Sequence, residues 1–354
     1  MTTAGETSAD HVQGIDAPRV TDWFSDHVAG VVPPLSFSLI AGGHSNLTFG
    51  VTDANGNRWV LRRPPLGHVL ATAHDMSREH KIISALGPTA VPVPETPGLC
   101  MDTEVNGAPF YVMSYVDGHV VRDAATATSV LDRDGRRRAG ESIADVMAAI
   151  HAVDVDAVGL GDLGRKDGYI ARQLKRWYSQ FQASNELTGR PVPQIHDVHD
   201  ALAARIPDQV GAAIVHGDYR LDNCMVDGDG NVIAVLDWEI CTLGDAMADV
   251  GLLMVYWNEA TDGDSTLLVA PTAVDGFPTR AEMLARYAAK SGRDVSQVDY
   301  YIAFAHWKLA CIIEGVYSRY AKGAMGKPAA GFEGFERQVT ALADRAQAAV
   351  DRLS

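Results

Sequence analysis

The stretch Val215–Glu239, VHGDYRLDNCMVDGDGNVIAVLDWE, constrains the fold of this chain most. Asp227-Gly228-Asp229-Gly230-Asn231 gathers turn-forming residues between apolar flanks, so Ala213–Leu236 reads as a β-hairpin region. A polar loop precedes the hairpin. It carries His216, Asp218 two residues later and Asn223 five residues after that, and Asp237 ends the apolar run that follows the turn. One hairpin region therefore fixes three oxygen-bearing side chains in one order along the chain.

The surrounding pattern is β-rich first and helical afterwards. Ser36–Ala41, Asn46–Thr52 and Arg58–Arg62 read as strands, with Asp53–Asn57 as the turn between the last two. His74–Leu86 has helical spacing, Pro88–Pro97 is a proline-rich connection, and Phe110–Val116 is a further strand. Helical patterns then cover Arg136–His151, Tyr169–Leu187, His196–Ile206, Met247–Trp257, Arg280–Ser291, Val295–Tyr320 and Phe332–Leu353. The expected architecture is α+β and bilobal. Residues 1–30 form an arm with a short helix around Thr21–Val28, 31–116 a β-rich lobe, and 117–354 a mostly helical lobe, with a cleft between the lobes.

Composition narrows the partners. Lys and Arg number 30 against 45 Asp and Glu, a net charge of −15, which disfavours nucleic-acid binding because that requires surplus cations. The N-terminus lacks a basic start and an apolar stretch, and no run approaches the ~20 apolar residues of a membrane span. The four cysteines are scattered without a Cys-x-x-Cys pair, as in buried thiols of a cytoplasmic enzyme.

The chemistry follows from the loop. A carboxylate such as Asp218 can orient a hydroxyl and accept its proton, and an Asn–Asp pair such as Asn223 and Asp237 suits Mg²⁺, which takes few protein oxygens beside phosphate oxygens. This is the equipment of phosphoryl transfer from a nucleotide. Arg220 is a candidate for neutralising the transferring group; its bland alternative is an ion pair with Asp222. His216 is expected to tie the loop to the backbone around Asp237. Arg62 ends a strand and can reach phosphates if a carboxylate holds it, with Glu79 the candidate partner. Gly42-Gly43-His44-Ser45-Asn46 offers backbone N–H groups to phosphates but fits neither a Rossmann nor a Walker pattern, and Leu47 spoils a hydrolase elbow. Asp227-x-Asp229-x-Asn231 is a turn and not a calcium loop, because Val232 stands where glycine is needed.

These segments resemble the aminoglycoside phosphotransferase/choline kinase family, which has a protein-kinase-like fold. The resemblance runs from about Leu35 to Tyr320 and is strongest in GGHSNLTF, VLRRPP, REHKIISAL, YVMSYVDG, HGDYRLDN and LDWEICTLGDAMADVG. It is closest to the phosphotransferase domains associated with acyl-CoA dehydrogenases. It implies ATP or GTP and Mg²⁺ as cofactors, Asp218 as the catalytic Asp, and Asn223 and Asp237 as metal ligands. Ser45 and Asn46 would cover the phosphates. Met113 would lie behind the adenine, with the backbone of Ser114 and Val116 at its edge, and Asp245 and Asp249 would brace the segment after the metal Asp. Arg62 departs from the Lys usual in the wider family, and Trp238-Glu239 replaces Phe-Gly.

The acceptor is a small hydroxylated molecule. Lys308 and Arg319 suggest an anionic one such as a hydroxyacyl thioester of CoA, whereas Glu239, Asp245 and Glu314 suggest an amine-bearing sugar or amino alcohol. A nucleotide-binding pseudokinase scaffold and a metal-dependent hydrolase are the readings from other classes. The intact Asp218/Asn223/Asp237 set argues against the first, and the lack of a His cluster against the second.

Overall fold

The computed structural model describes residues 12–41, 46–66, 75–262, 271–321 and 334–353. Two compact units emerge. The first runs through Asp117 and takes back Asp237–Glu239, and the second holds Gly118–Leu236 and the chain from Ile240 onward.

The first unit begins with α1 (Ala17–His27), capped by Asp16, which accepts from Arg19 N–H, with a proline in the first turn. This cap starts the helix four residues before the expected Thr21. Val20, Trp23 and Phe24, at i, i+3, i+4 spacing, are buried on one face. They meet Phe49, Val51, Leu61, Phe110 and Val112 in one apolar cluster. Five strands form an antiparallel sheet: β1 (Ser36–Ala41), β2 (Leu47–Thr52), β3 (Arg58–Arg63), β4 (Gly98–Cys100) and β5 (Phe110–Ser114), in the order β1-β2-β3-β5-β4. The β2–β3 turn is fixed by Asp53, which accepts from the N–H groups of Asn55 and Asn57 and from Asn57 Nδ2. The register sets Arg62 between Thr48 and Tyr111. α2 (Met76–Leu86) packs against β5, its N-terminus capped by Asp75, and α3 (Thr103–Asn106) is a single turn. β4 and α3 were not anticipated; three- and four-residue elements have too little periodicity to read.

The second unit contains α4 (Ala124–Val130), α5 (Arg133–Ala152), α6 (Tyr169–Thr188), α7 (Pro193–Ala203), β6 (Ala213–Val215), β7 (Cys224–Val226), β8 (Val232–Val235), β9 (Thr242–Gly244), α8 (Ala246–Tyr256), α9 (Arg280–Ser291), α10 (Val298–Ala321) and α11 (Gly334–Val350). β7 and β8 are the expected hairpin. β6 departs from the expectation: it pairs with β9 instead of joining that hairpin. α7 starts three residues early because proline opens it. α10 is the hub, packed on α6, α7, α8 and α11. Gly251 lets α8 approach it, since a Cβ there would lie 2.5 Å from the Tyr301 carbonyl carbon. Among the described residues no helix is long and apolar enough to cross a membrane.

Candidate active site

In the first unit β3 delivers Arg62 into a group of carboxylates. Its Nε lies 3.2 Å from Glu79, in the first turn of α2, and its Nη2 donates to Asp237 Oδ1 at 2.8 Å. Glu239 lies 3.9 Å away. The expected Arg62–Glu79 pairing is thus present, and one guanidinium serves two carboxylates at once. Glu79 is 2% exposed. Burial raises its carboxyl to about 7 despite Arg62, with Asp237 and Glu239 pushing the same way. Burial opposes the charge on Arg62, but Glu79, Tyr111 and Asp237 overcome it and raise its affinity for the proton. Burial, then Glu79, holds the Tyr111 hydroxyl well above its ordinary value.

Asp237 has φ +64°, the one non-glycine residue in the left-handed region among the described residues. Asp tolerates that conformation better than bulkier residues, and such strain concentrates at functional positions. Asn46 is buried and donates to Glu239 Oε2 at 3.4 Å. Met113 is buried in β5. The Ser114 N–H donates to Glu95 O at 2.8 Å. Val116 follows β5 and is half-buried. Ser45 and the rest of the Gly42–Ser45 turn lie outside the described residues.

In the second unit β6 leads into the loop. Asp249 of α8 accepts from His216 N–H at 2.6 Å and Gly217 N–H at 2.9 Å. Burial raises its carboxyl, yet His151, His216 and the Gly217 N–H together hold it below its ordinary value. His151 Nε2 stands 3.6 Å from it, and the Nδ1 of His151 pairs with the Tyr287 hydroxyl at 2.8 Å. Asp245 caps α8 and accepts from the Tyr301 hydroxyl. The Nε2 of His216 donates to Leu236 O at 3.0 Å, the tie expected from sequence. Gly217 has φ +87°, which only glycine adopts without strain.

Asp218 follows and is half-buried. Asn223 Nδ2 donates to its backbone carbonyl at 2.8 Å and its Oδ2 at 3.0 Å. Burial, then the nearby Asp218 carboxylate, holds the hydroxyl of Tyr256, at the end of α8, above its ordinary value. Arg220 Nε lies 2.9 Å from Asp222 and 3.5 Å from Asp218, with the guanidinium over the Tyr256 ring. Arg220 is therefore both in the expected ion pair and beside the carboxylate.

The acceptor candidates separate. Lys308 is buried and Arg319 exposed on the same helix. Glu314, raised only in the alternative reading of an amine-bearing acceptor, is fully buried and held by Arg190 at 2.6 Å and by Thr188. Asp245 is likewise taken. His151, Tyr256 and Tyr287 had no role in the sequence reading. His151 in the last turn of a helix looks like an ordinary partner of the helix dipole, and Tyr256 looks like one more apolar position. Among the described residues no three His, Cys, Asp or Glu side chains cluster as a metal site.

Replacing Asp249 by Asn turns its NH₂ toward the N–H groups of His216 and Gly217. The expected cost is ~1–3 kcal/mol of stability, read as a lower denaturation midpoint; an unchanged midpoint refutes the bracing role.

A profile of the phosphotransferase enzyme family matches residues 36–295. The chain is 34% identical over 319 residues to Probable acyl-CoA dehydrogenase IBR3 of Arabidopsis thaliana, covering 84% of this chain and 38% of that protein. It thus spans well under half the length of that relative. A solved structure from Ralstonia eutropha, assigned as an aminoglycoside phosphotransferase, superposes with a TM-score of 0.81 at 31% identity, covering 95% of this chain and 98% of that one. The aminoglycoside phosphotransferase APH(4)-Ia, solved with AMP-PNP and hygromycin B, shares the fold at a TM-score of 0.61 and 16% identity over 94% of this chain and 99% of its own. The chain belongs to the phosphotransferase enzyme family, with an α+β, protein-kinase-like fold.

Proposed function

We propose that this chain transfers the γ-phosphate of ATP or GTP to a hydroxyl of a small molecule, with Asp218 as the base that orients the hydroxyl and accepts its proton. The observation that carries this reading is the Asp218 carboxylate tethered by Asn223 on a loop held by Asp249. A general base must be held in position before the substrate arrives. Arg220 beside it offers a cation for charge that builds on the transferring group. The first unit is read as the nucleotide-binding part, with Asn46, Arg62 and Glu79 toward the phosphates and Met113 and Val116 toward the base. The second unit is read as the acceptor part.

Asn223 and Asp237 fit Mg²⁺ by donor type. The Nδ2 of Asn223 is committed to Asp218, which leaves its amide oxygen for a cation, and Arg62 occupies only Oδ1 of Asp237. Oxygen donors including one carboxylate are what this hard ion takes. When bound, the ion neutralises phosphate charge during transfer.

For the acceptor we favour an anionic hydroxyacyl species, in line with the acyl-CoA dehydrogenase relative. Glu314 and Asp245, two of the acids a polyamine would need, are already engaged. The second reading is an aminoglycoside-like acceptor, favoured by the Ralstonia likeness over 95% of the chain. A cytoplasmic location accords with four free, buried cysteines.

The test is ADP release from Mg·ATP, and GDP release from Mg·GTP, with hydroxyacyl-CoA esters, aminoglycosides, choline and homoserine. Acceptor-dependent release is expected with a hydroxyacyl ester. Release with an aminoglycoside alone selects the second reading. Failure to bind either nucleotide sinks the proposal.

A further inference from the structure

α10 buries a lysine where an apolar residue of the same length would fit without electrostatic cost. Lys308 is 8% exposed. Its Nζ, with three donors, makes one hydrogen bond among the described residues, 3.4 Å long, to the carbonyl of Gly217. The face of Trp177 on α6 also lies nearby, 5.9 Å from Nζ to the ring centroid. The charged groups facing it are Asp249 of α8, Asp218 of the loop and Arg176 of α6. Burial lowers the ammonium from the ordinary lysine value, the two aspartates oppose that, and Arg176 adds to it.

The contact falls at one particular peptide. The Gly217 carbonyl belongs to the Gly217–Asp218 bond, whose N–H, that of Asp218, points to His216 Nδ1 at 3.4 Å. The preceding N–H, that of Gly217, is held by Asp249 at 2.9 Å. Gly217 is glycine with φ +87°, so this peptide has unusual freedom to rotate, and rotation would swing Asp218. Lys308 meets the carbonyl of this peptide and His216 its N–H, while Asp249 holds the N–H of the peptide before it.

We propose that Lys308 is a positioning residue of this active site, its buried ammonium fixing the Gly217–Asp218 peptide and with it the direction of the Asp218 carboxylate. The inference rests on the reading of Asp218 as the base. A lysine that merely fills the core would affect stability and leave turnover of the folded protein alone.

The test uses the full chain with Mg·ATP and water as the acceptor, read as slow ADP release, with Asp218→Ala run beside it. Lys308→Met, shown folded by its melting transition, is expected to lose about 10²-fold in kcat, the scale of a misplaced reacting group, with its affinity for ATP unchanged. Lys308→Arg keeps the charge and restores part of the rate. It also removes the alkaline limb that the wild type shows as Lys308 loses its proton below the ordinary lysine range, because the guanidinium stays charged. If Asp218→Ala is inactive while folded Lys308→Met keeps kcat within about threefold, the inference falls and the reading of Asp218 stands. If Asp218→Ala keeps full ADP release, that reading falls and takes the inference with it. If Lys308→Met does not fold, the pH profiles decide: a limb present in the wild type and missing from Lys308→Arg supports the inference, and any other pair of profiles overturns it.

Discussion

Asp218→Ala is expected to lower acceptor-dependent ADP release by ~10²–10⁴-fold while ATP binding persists. The carboxylate is where the loop's interactions converge. Asn223 and Arg220 both address it, and the N–H of Asp218 faces His216. Truncation removes the proton acceptor but leaves the loop's supports in place. Asn223 keeps the Asp218 backbone carbonyl, Arg220 keeps Asp222, and Asp249 keeps the two N–H groups before the loop. The side chain is 27% exposed, so little stability is at stake and the kinetic loss is not confounded by unfolding. Single-turnover rates at saturating Mg·ATP, beside a calorimetric Kd, separate the two effects. A variant that binds ATP and turns over within about tenfold of wild type would show that the carboxylate neither takes the proton nor orients the hydroxyl.

Local chemistry was legible wherever it is written in consecutive residues. Asp53-Ala54-Asn55-Gly56-Asn57 and Asp227-Gly228-Asp229-Gly230-Asn231 close their hairpins in the same way, an Asp accepting the N–H groups two and four residues on. α9 begins and ends at the expected residues because Thr279 and Glu282 form a capping box and Gly292 takes the left-handed cap. The tie from His216 to the backbone before Asp237 was legible as well. Pairing over distance was not. Ala213–Val215 is a short, wholly buried run that could join either neighbour, and its partner, β9, is too short to announce itself. Burial of charge was the other blind spot. Lys308 and Glu314 lie on α10, whose apolar residues surround the helix because α6, α7, α8 and α11 all pack on it, so no polar face marks which charges are inside. The bracing network from Tyr287 through His151 to Asp249 joins three helices far apart in sequence, and only the fold brings it together.

Arg62→Met should destabilise the first unit by ~3–5 kcal/mol at pH 8–9, because it removes the cation that compensates a buried carboxylate. Glu79 is 2% exposed and has Arg62 at 3.2 Å as its cation. The pH dependence gives the effect its signature. Burial raises the Glu79 carboxyl to about 7 from an unfolded value of 4.5. The folded protein therefore holds the extra proton between those values, and stability falls as pH rises through that window. Without Arg62 the folded value climbs further. The two proteins should differ least in acid, where Glu79 is neutral in both, and diverge as pH passes 7. Adding Glu79→Gln to Arg62→Met removes the stranded charge and should recover most of the loss. Arg62→Lys probes the fork itself. Nε reaches Glu79 while Nη2 reaches Asp237 at 2.8 Å, and an ammonium is one point charge that cannot reproduce both contacts. Its stability should fall between wild type and Arg62→Met, with weaker ATP binding. Urea titrations followed by the fluorescence of Trp23 and Trp59, repeated from pH 5 to 9, read all four proteins. A constant difference between wild type and Arg62→Met across that range would mean that Glu79 is not the carboxylate Arg62 compensates.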